Sequence, residues 1–137
     1  MKSSLAPWQA YASVPLRLAI GAMFMAHGSQ KLFGWLGGYG LVGTGEFFAK
    51  LGFMPGVFWA GLVGSSEFFG GLCLLMGFLT RWATLPLMVT MLVAIFRVHG
   101  PHGFFAPAGF EYPFVILGGL LSLGFLGAGK FSLEGRR

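Results

Sequence analysis

Apolar residues form four long stretches along the chain, and the segments between them contain polar, glycine and proline residues. Because about 20 predominantly apolar residues cross the hydrocarbon core of a bilayer as a helix, each stretch predicts a transmembrane helix. The predicted helices cover residues 14–36, 56–79, 82–98 and 112–129, with ends approximate. No segment shows the alternation that is typical of membrane barrel strands. The pattern therefore predicts an all-α integral membrane protein, a four-helix bundle that forms one domain over residues 1–137.

A shorter amphipathic helix is predicted between the first two membrane helices, over residues 44–51. Thr44 is the predicted cap, Glu46 and Lys50 have the helical spacing of four, and Gly52 with Pro55 forms the stop signal. The aromatic residues of this segment lie on one side of the helix. We therefore expect it to lie flat in the outer interface of the membrane.

Composition narrows the class of protein. The chain is 55% apolar and 9% charged, and it contains only four carboxylates, so it lacks the polar residues that cover a soluble domain. The net charge of +5 is explained by an anionic cytoplasmic leaflet and does not require a nucleic acid partner. The expected surroundings are a lipid bilayer.

The distribution of basic residues predicts the orientation. With the N-terminus inside, six of them flank the cytoplasmic side and three the outer side, so both termini are expected in the cytoplasm. A small-residue triplet at residues 10–12 resembles a signal cleavage site, but the segment before it is too short and polar for a signal core, so the first helix is expected to be retained. The inner set is Lys2, Arg17, Arg81, Lys130, Arg136 and Arg137, and the outer set is Lys31, Lys50 and Arg97.

Glu67 lies within an uncharged run that is long enough to span a membrane, from residue 56 to residue 80. A carboxylate at such a depth is costly and by default marks a functional site with a partner nearby. Ala60, Gly64 and Gly71 lie on the same helical face, and small residues allow another helix to approach closely. Glu67 is therefore predicted to face the bundle.

The first helix has a matching stripe that contains Gly21, Phe24, Gly28 and Lys31, with His27 one turn before Lys31. Because this helix runs outward, His27 and Lys31 are expected at a depth similar to that of Glu67. The sequence thus predicts that an acid, a base and a cation converge. The alternatives are a carboxyl group that only joins two helices, a lysine that snorkels to the headgroups, and a histidine that packs.

The predicted outer loop, residues 99–111, contains His99, His102 and Glu111. The two histidines, with Glu111 beyond them, are ligand types that bind metals, and the histidines are weak candidates. The glycine and proline between them interrupt the helical face that such a site uses, so no metal site is predicted. They are interpreted as structural or proton-relay residues. Cys73 is the only cysteine, so the chain alone cannot run a dithiol cycle, and Cys73 is interpreted as a packing residue.

Seven short segments stand out in order along the chain: residues 17–21 (RLAIG), 27–32 (HGSQKL), 67–71 (EFFGG), 77–81 (GFLTR), 99–105 (HGPHGFF), 111–113 (EYP) and 127–133 (GAGKFSL). Together they resemble the DoxX family, and the resemblance covers nearly the whole chain. One departure is Glu134, where the family tail usually has aspartate, and it keeps the charge. The resemblance implies a small four-helix protein of the bacterial inner membrane. Related proteins form the membrane part of a thiosulfate to quinone oxidoreductase, and others associate with enzymes of oxidative and thiol stress.

The leading hypothesis is a membrane component of a quinone- or thiol/sulfur-linked redox system, with a pocket for a lipophilic ligand in the outer half of the bundle. A quinone is the candidate cofactor. Glu67 would exchange protons, His27 and His99 would relay them, and Lys31 or Arg97 would stabilise a developing oxyanion. The predicted ligand-binding residues are Phe24, Gly28, Phe68, Gly71, Arg97 and Glu111.

The chain contains no recognisable ligand set for an electron carrier, so a soluble or membrane redox partner is expected to supply the electrons. Whether the chain is itself an oxidoreductase or a subunit of one stays open, and so does assembly with further copies of itself. Two other functions remain alternatives. One is a non-enzymatic binder or transporter that uses Glu67 as a protonatable site, and the other is a scaffold for soluble redox enzymes.

Overall fold

The computed structural model describes residues 6–136, and every regular element in that range is helical. Lys2 and Arg137, which contribute to the predicted orientation, lie outside the described residues, as does the side chain of Arg136. The α-helices are α1 (Ala6–Gln9), α2 (Val14–Phe33), α3 (Gly40–Lys50), α4 (Gly56–Met76), α5 (Thr80–Val93) and α6 (Glu111–Leu126). Shorter helical turns occur at Trp35–Gly37, Ala94–His99, Gly100–His102 and Glu134–Arg136.

Within the described residues, two helices are long and apolar enough to cross a membrane. They are Gly56–Met76 and Thr80–His102, and the second combines α5 with the turns that follow it. Their outward surfaces are apolar: Phe69 keeps 57% of its surface exposed and Val89 60%. Such surfaces are favourable against acyl chains and costly in water.

Left-handed residues end the helices earlier than the sequence pattern predicts. α2 ends at Phe33 because Gly34 adopts φ 71°, and α4 ends at Met76 because Gly77 adopts φ 64°. A glycine in this conformation carries no Cβ penalty, which makes it a common helix stop. The α-helical part of α5 ends at Val93, and the chain continues as a wider π-helical turn to His99.

α3 begins at Gly40, before the predicted start at Thr44. Thr44 is therefore not the helix cap; it lies inside the helix and is buried. Tyr39 precedes the first helical residue and makes no side-chain capping bond. The hydrophobic sequence of α3, which packs on the bundle, thus outweighs the capping signal.

The four longer helices pack in chain order around a square. α2 packs most extensively on α4, and α5 on α6, while α4 meets α5 and α2 meets α6. α3 covers one end, where it contacts α4 and α2. The large core side chains are Ile20, Phe24, Leu74, Leu87, Leu120 and Leu123.

Glycine stripes make the close contact between α2 and α4. A Cβ atom on Gly28 would overlap the backbone of Phe68, and one on Gly71 would lie 2.7 Å from the carbonyl oxygen of Gly21. Only glycine fits such an approach of two backbones. Gly28 and Gly71 therefore hold the helix pair together.

The end of the bundle opposite α3 is tied to the C-terminal segment by Arg17. This side chain is 1% exposed, and its guanidinium donates to the carbonyl oxygens of Ala128 and Phe131 at 2.5 and 2.7 Å. The carboxylate of Glu134 accepts a hydrogen bond from the backbone N–H of Thr80 at 3.1 Å. Arg17, one of the basic residues predicted on the inner side, is thus buried and binds backbone carbonyl oxygens.

Candidate functional site

A cavity of about 610 Å³ lies inside the bundle at the end that α3 covers, which we call the α3 end. Its walls come from α2, α4, α5 and α6, and α3 contributes Phe47 and Phe48. Most of the lining is apolar, and the volume is within the range of small-molecule sites, about 300–1,000 Å³. The polar side chains in the lining are His27, Lys31, Thr44, Ser66, Glu67, Thr90, His99 and Tyr112.

An ion pair between α2 and α4 forms part of this wall. Lys31 Nζ lies 2.7 Å from Glu67 Oε2, and the side chain of Glu67 is 4% exposed while that of Lys31 is 22% exposed. Gly64 makes room for the lysine, because a Cβ there would lie 3.2 Å from the Lys31 Cβ atom. The close approach of α2 and α4 therefore allows the Lys31 ammonium to pair with the buried Glu67 carboxylate.

His27 lies one turn before Lys31 on α2 and faces the same cavity. It is an exposed residue, and no hydrogen bond to its ring occurs within residues 6–136. A neutral imidazole has one nitrogen that donates and one that accepts, so His27 can either take or give a proton. The ring is available to a molecule in the cavity.

His99 reaches the cavity from the end of the π-helical turn. Its Nδ1 atom lies 2.9 Å from the carbonyl oxygen of Ala108. Because a carbonyl oxygen only accepts, Nδ1 carries the hydrogen and donates it. Nε2 of a neutral His99 is therefore left as an acceptor.

The structure brings together five of the predicted site residues: Phe24, His27, Lys31, Glu67 and His99 all line the one cavity. Phe24 is 1% exposed and joins the cavity wall to the core. The catalytic roles predicted for the polar residues remain predictions.

Five predicted ligand-binding residues do not line the cavity: Gly28, Phe68, Gly71, Arg97 and Glu111. The ring of Phe68 packs edge-on against Phe33, with 5.6 Å between ring centroids. Glu111 begins α6, and its N–H donates to the carbonyl oxygen of Phe104 at 2.7 Å. Gly28 and Gly71 make the helix contact described above.

Arg97 lies outside the cavity lining and contacts the segment that follows α3. Its Nη2 atom donates to the carbonyl oxygen of Leu51 at 2.5 Å, and its guanidinium carbon lies 5.2 Å from the centroid of the Phe53 ring. Phe53 itself lines the cavity. The guanidinium thus links the π-helical turn to the end of α3. The oxyanion role predicted for Arg97 remains a prediction.

No group of three or more His, Cys, Asp and Glu side chains within the described residues could hold a metal ion. His102 is exposed in the loop after the π-helical turn, away from the cavity lining. Cys73 is a partly buried free thiol that packs against the core.

Sequence reasoning missed the α5 wall of the cavity, which Pro86, Val89, Thr90 and Val93 supply. These positions follow the helical spacing of three and four residues. On α4, Trp59, Leu62, Val63 and Ser66 repeat with the same spacing and lead to Glu67. The helical spacing from Glu67 back along α4 therefore predicts the four α4 residues of the lining.

Comparison with known proteins identifies the family. The family model of DoxX matches residues 12–100. The chain belongs to the DoxX family. The match extends from the start of α2 to the end of the π-helical turn, so it includes His27, Lys31, Glu67 and His99. This member of the DoxX family is a membrane protein, in agreement with its apolar helices. A search of curated proteins and a search of solved structures each found no match.

Proposed function

We propose that this DoxX-family protein binds a quinone-like, lipid-soluble molecule in the cavity at the α3 end, as the membrane component of a quinone- or thiol/sulfur-linked redox system. One observation carries the proposal: a mainly apolar cavity of about 610 Å³ has the Lys31–Glu67 pair and His27 in its wall. Apolar walls with a few convergent polar groups suit a flat apolar ring that carries oxygen atoms.

The polar wall can support the reduction of such a ring. Adding two electrons to a quinone requires two protons, which must reach its two oxygen atoms. Lys31 can stabilise negative charge that develops on an oxygen, because its ammonium group lies in a largely apolar cavity. His27 and Glu67 can hold and transfer protons, and His99 can pass them towards the surface. A partner redox protein supplies the electrons.

The proposed topology has four membrane spans, formed by α2, α4, Thr80–His102 and α6. α3 then lies in the outer interface, and both termini are on the cytoplasmic side of the bacterial inner membrane. The excess of Lys and Arg near the opposite end supports this orientation, because cytoplasmic loops carry such an excess. In this topology the cavity opens in the outer half of the bilayer.

Mass spectrometry of co-purifying molecules tests the proposal. The wild-type protein, purified in mild detergent, is expected to retain a quinone, and the variants Lys31→Met and Glu67→Gln are expected to retain less. Glu46→Gln, an exposed carboxylate on α3, is the matched control and should behave as wild type. Retention of phospholipid alone by all four proteins would refute the proposal.

Binding can also be measured directly, because Trp59 lines the cavity and its fluorescence reports on a bound ring. Titration with a soluble quinone should quench the part of the wild-type tryptophan emission that comes from Trp59, because Trp8, Trp35 and Trp82 do not line the cavity. Loss of one charged contact should raise the Kd about tenfold, which corresponds to about 1.4 kcal/mol. Binding without reduction, even when a reduced partner is supplied, would instead support the non-enzymatic binder.

A further inference from the structure

The wall of the cavity has an opening between α4 and α5. The two helices touch near their connecting turn, where a Cβ on Gly70 would lie 3.1 Å from a methyl carbon of Leu87. Further towards the α3 end, Leu62 on α4 and Val89 on α5 both line the cavity, yet they keep 49% and 60% of their surface exposed. Side chains that face both the cavity and the outside mark a gap in the wall.

Helical spacing shows that this gap lies between the two helices. Ser66 lines the cavity one turn after Leu62, and Gly70, which contacts α5, follows one turn later. Leu62 and Ser66 are therefore on the side of α4 that faces α5. On α5, Pro86, Val89 and Val93 share one side and line the cavity in the same way.

The opening is bounded at both ends. The contact of Gly70 with Leu87 closes it towards the turn, and Arg97 closes it towards α3 through its bond to the Leu51 carbonyl. Its two sides are apolar apart from Ser66 and Thr90, whose hydroxyls already donate to the carbonyl oxygens of Leu62 and Pro86 at 2.8 and 3.0 Å. The Arg97 guanidinium, at the end near α3, is engaged by the Leu51 carbonyl. A rim of this kind offers little to water and is compatible with acyl chains.

We propose that this opening is the route by which the ligand moves between the bilayer and the cavity. The ligand is then a lipid-borne amphipathic molecule. The oxygen atoms of its ring lie at the Lys31–Glu67 pair and His27, and its apolar tail leaves between α4 and α5 into the acyl chains. The identity of the ring rests on the proposed function, whereas the opening rests on the rim residues alone.

A second border of the cavity has different chemistry. His27 on α2 and Tyr112 on α6 both line the cavity and are exposed, so the α2–α6 side is polar where the α4–α5 side is apolar. Protons can use the polar side, and the apolar tail favours the opposite one. The alternative route for the ligand is therefore through the polar α2–α6 side of the cavity.

Thiol labelling in lipid nanodiscs tests the route without any quinone. The reporter is Met91→Cys in a Cys73→Ser background, because Met91 lines the cavity and is 8% exposed. Two methanethiosulfonates are compared, one with a benzyl group and one with a sulfonatoethyl group, and each rate is divided by the rate with a free thiol. The benzyl reagent is expected to react about tenfold faster, a factor equal to about 1.4 kcal/mol in the barrier.

Val89→Trp and Leu62→Trp, which obstruct the opening from either rim, should each slow the benzyl reagent about tenfold. Val115→Trp is the matched control, because Val115 is 67% exposed on α6 and does not line the cavity. Equal normalised rates for the two reagents, no effect of either rim variant, or no labelling at all would overturn the proposal. Labelling as expected in a protein that retains no quinone would refute the proposed ligand and leave the route standing.

Discussion

Replacing Lys31 by methionine removes the cation that lies 2.7 Å from the Glu67 carboxylate. Among the side chains that the structure describes, no other basic group lies within ion-pair distance of that carboxylate. The Glu67 side chain is 4% exposed, so little water reaches the carboxylate to replace the lost partner. The Lys31→Met variant therefore leaves the buried Glu67 carboxylate without a positively charged partner.

The expected loss follows from this burial. Breaking a buried ion pair by removing one partner costs about 3–5 kcal/mol. Because Lys31 itself is 22% exposed, the pair is only partly shielded from solvent, and the lower value of about 3 kcal/mol is expected. Lys31→Met combined with Glu67→Met replaces the pair by apolar groups of similar size, which is close to neutral, within about 1 kcal/mol. The double variant should thus be more stable than Lys31→Met.

Reversible unfolding in mixed micelles, followed by circular dichroism, measures these free energies. Lys50→Met is the matched control, because Lys50 is an exposed lysine on α3, and its change should stay within about 0.5 kcal/mol. A Lys31→Met variant as stable as Lys50→Met would refute the reasoning. So would a double variant that is less stable than Lys31→Met, because the effects of two groups in contact should not add.

Two further substitutions test the packing of the fold. Gly28→Val should lower the free energy of unfolding by about 3 kcal/mol, because the new Cβ would overlap backbone atoms of Phe68 that cannot move aside. The control is Gly118→Val, since a Cβ at Gly118 meets nothing within 4 Å. It should lower the free energy of unfolding by less than about 1 kcal/mol in the same assay. Arg17→Met should speed hydrogen exchange of residues 127–134 about tenfold relative to Lys130→Met, because three backbone carbonyls lose their donor. Equal effects within either pair would contradict the packing described here.

The helical class and the family could be read from the sequence, because both depend on local pattern. Runs of apolar residues bounded by charge and glycine predict helices, and the segments around His27 and Glu67 carry the family resemblance. The predicted ends of the helices are less accurate than the predicted helices themselves. Gly34 and Gly77 stop helices through their own backbone conformation, which apolar runs do not reveal.

The pairing of Lys31 with Glu67 could also be predicted from the sequence, because small residues on both helices indicate the faces that meet. The contacts of Arg17 and Arg97 could not be predicted from the sequence. Both side chains donate to backbone carbonyl oxygens, and every residue in the chain has a carbonyl group, so such a partner leaves no signature in the sequence. Ala128 is 111 residues from Arg17 along the chain.

Helicity, a preference for lipid and membership of the DoxX family follow from the sequence, because helix formation and solvent preference depend on residue type and spacing. Which side chains share the cavity depends on tertiary packing. Arg97 and Phe68 have the chemistry of ligand-binding residues, but the rotation of each helix directs Arg97 to the Leu51 carbonyl and Phe68 to the ring of Phe33. Rotation is set by how all the helices pack together, and no single segment encodes it.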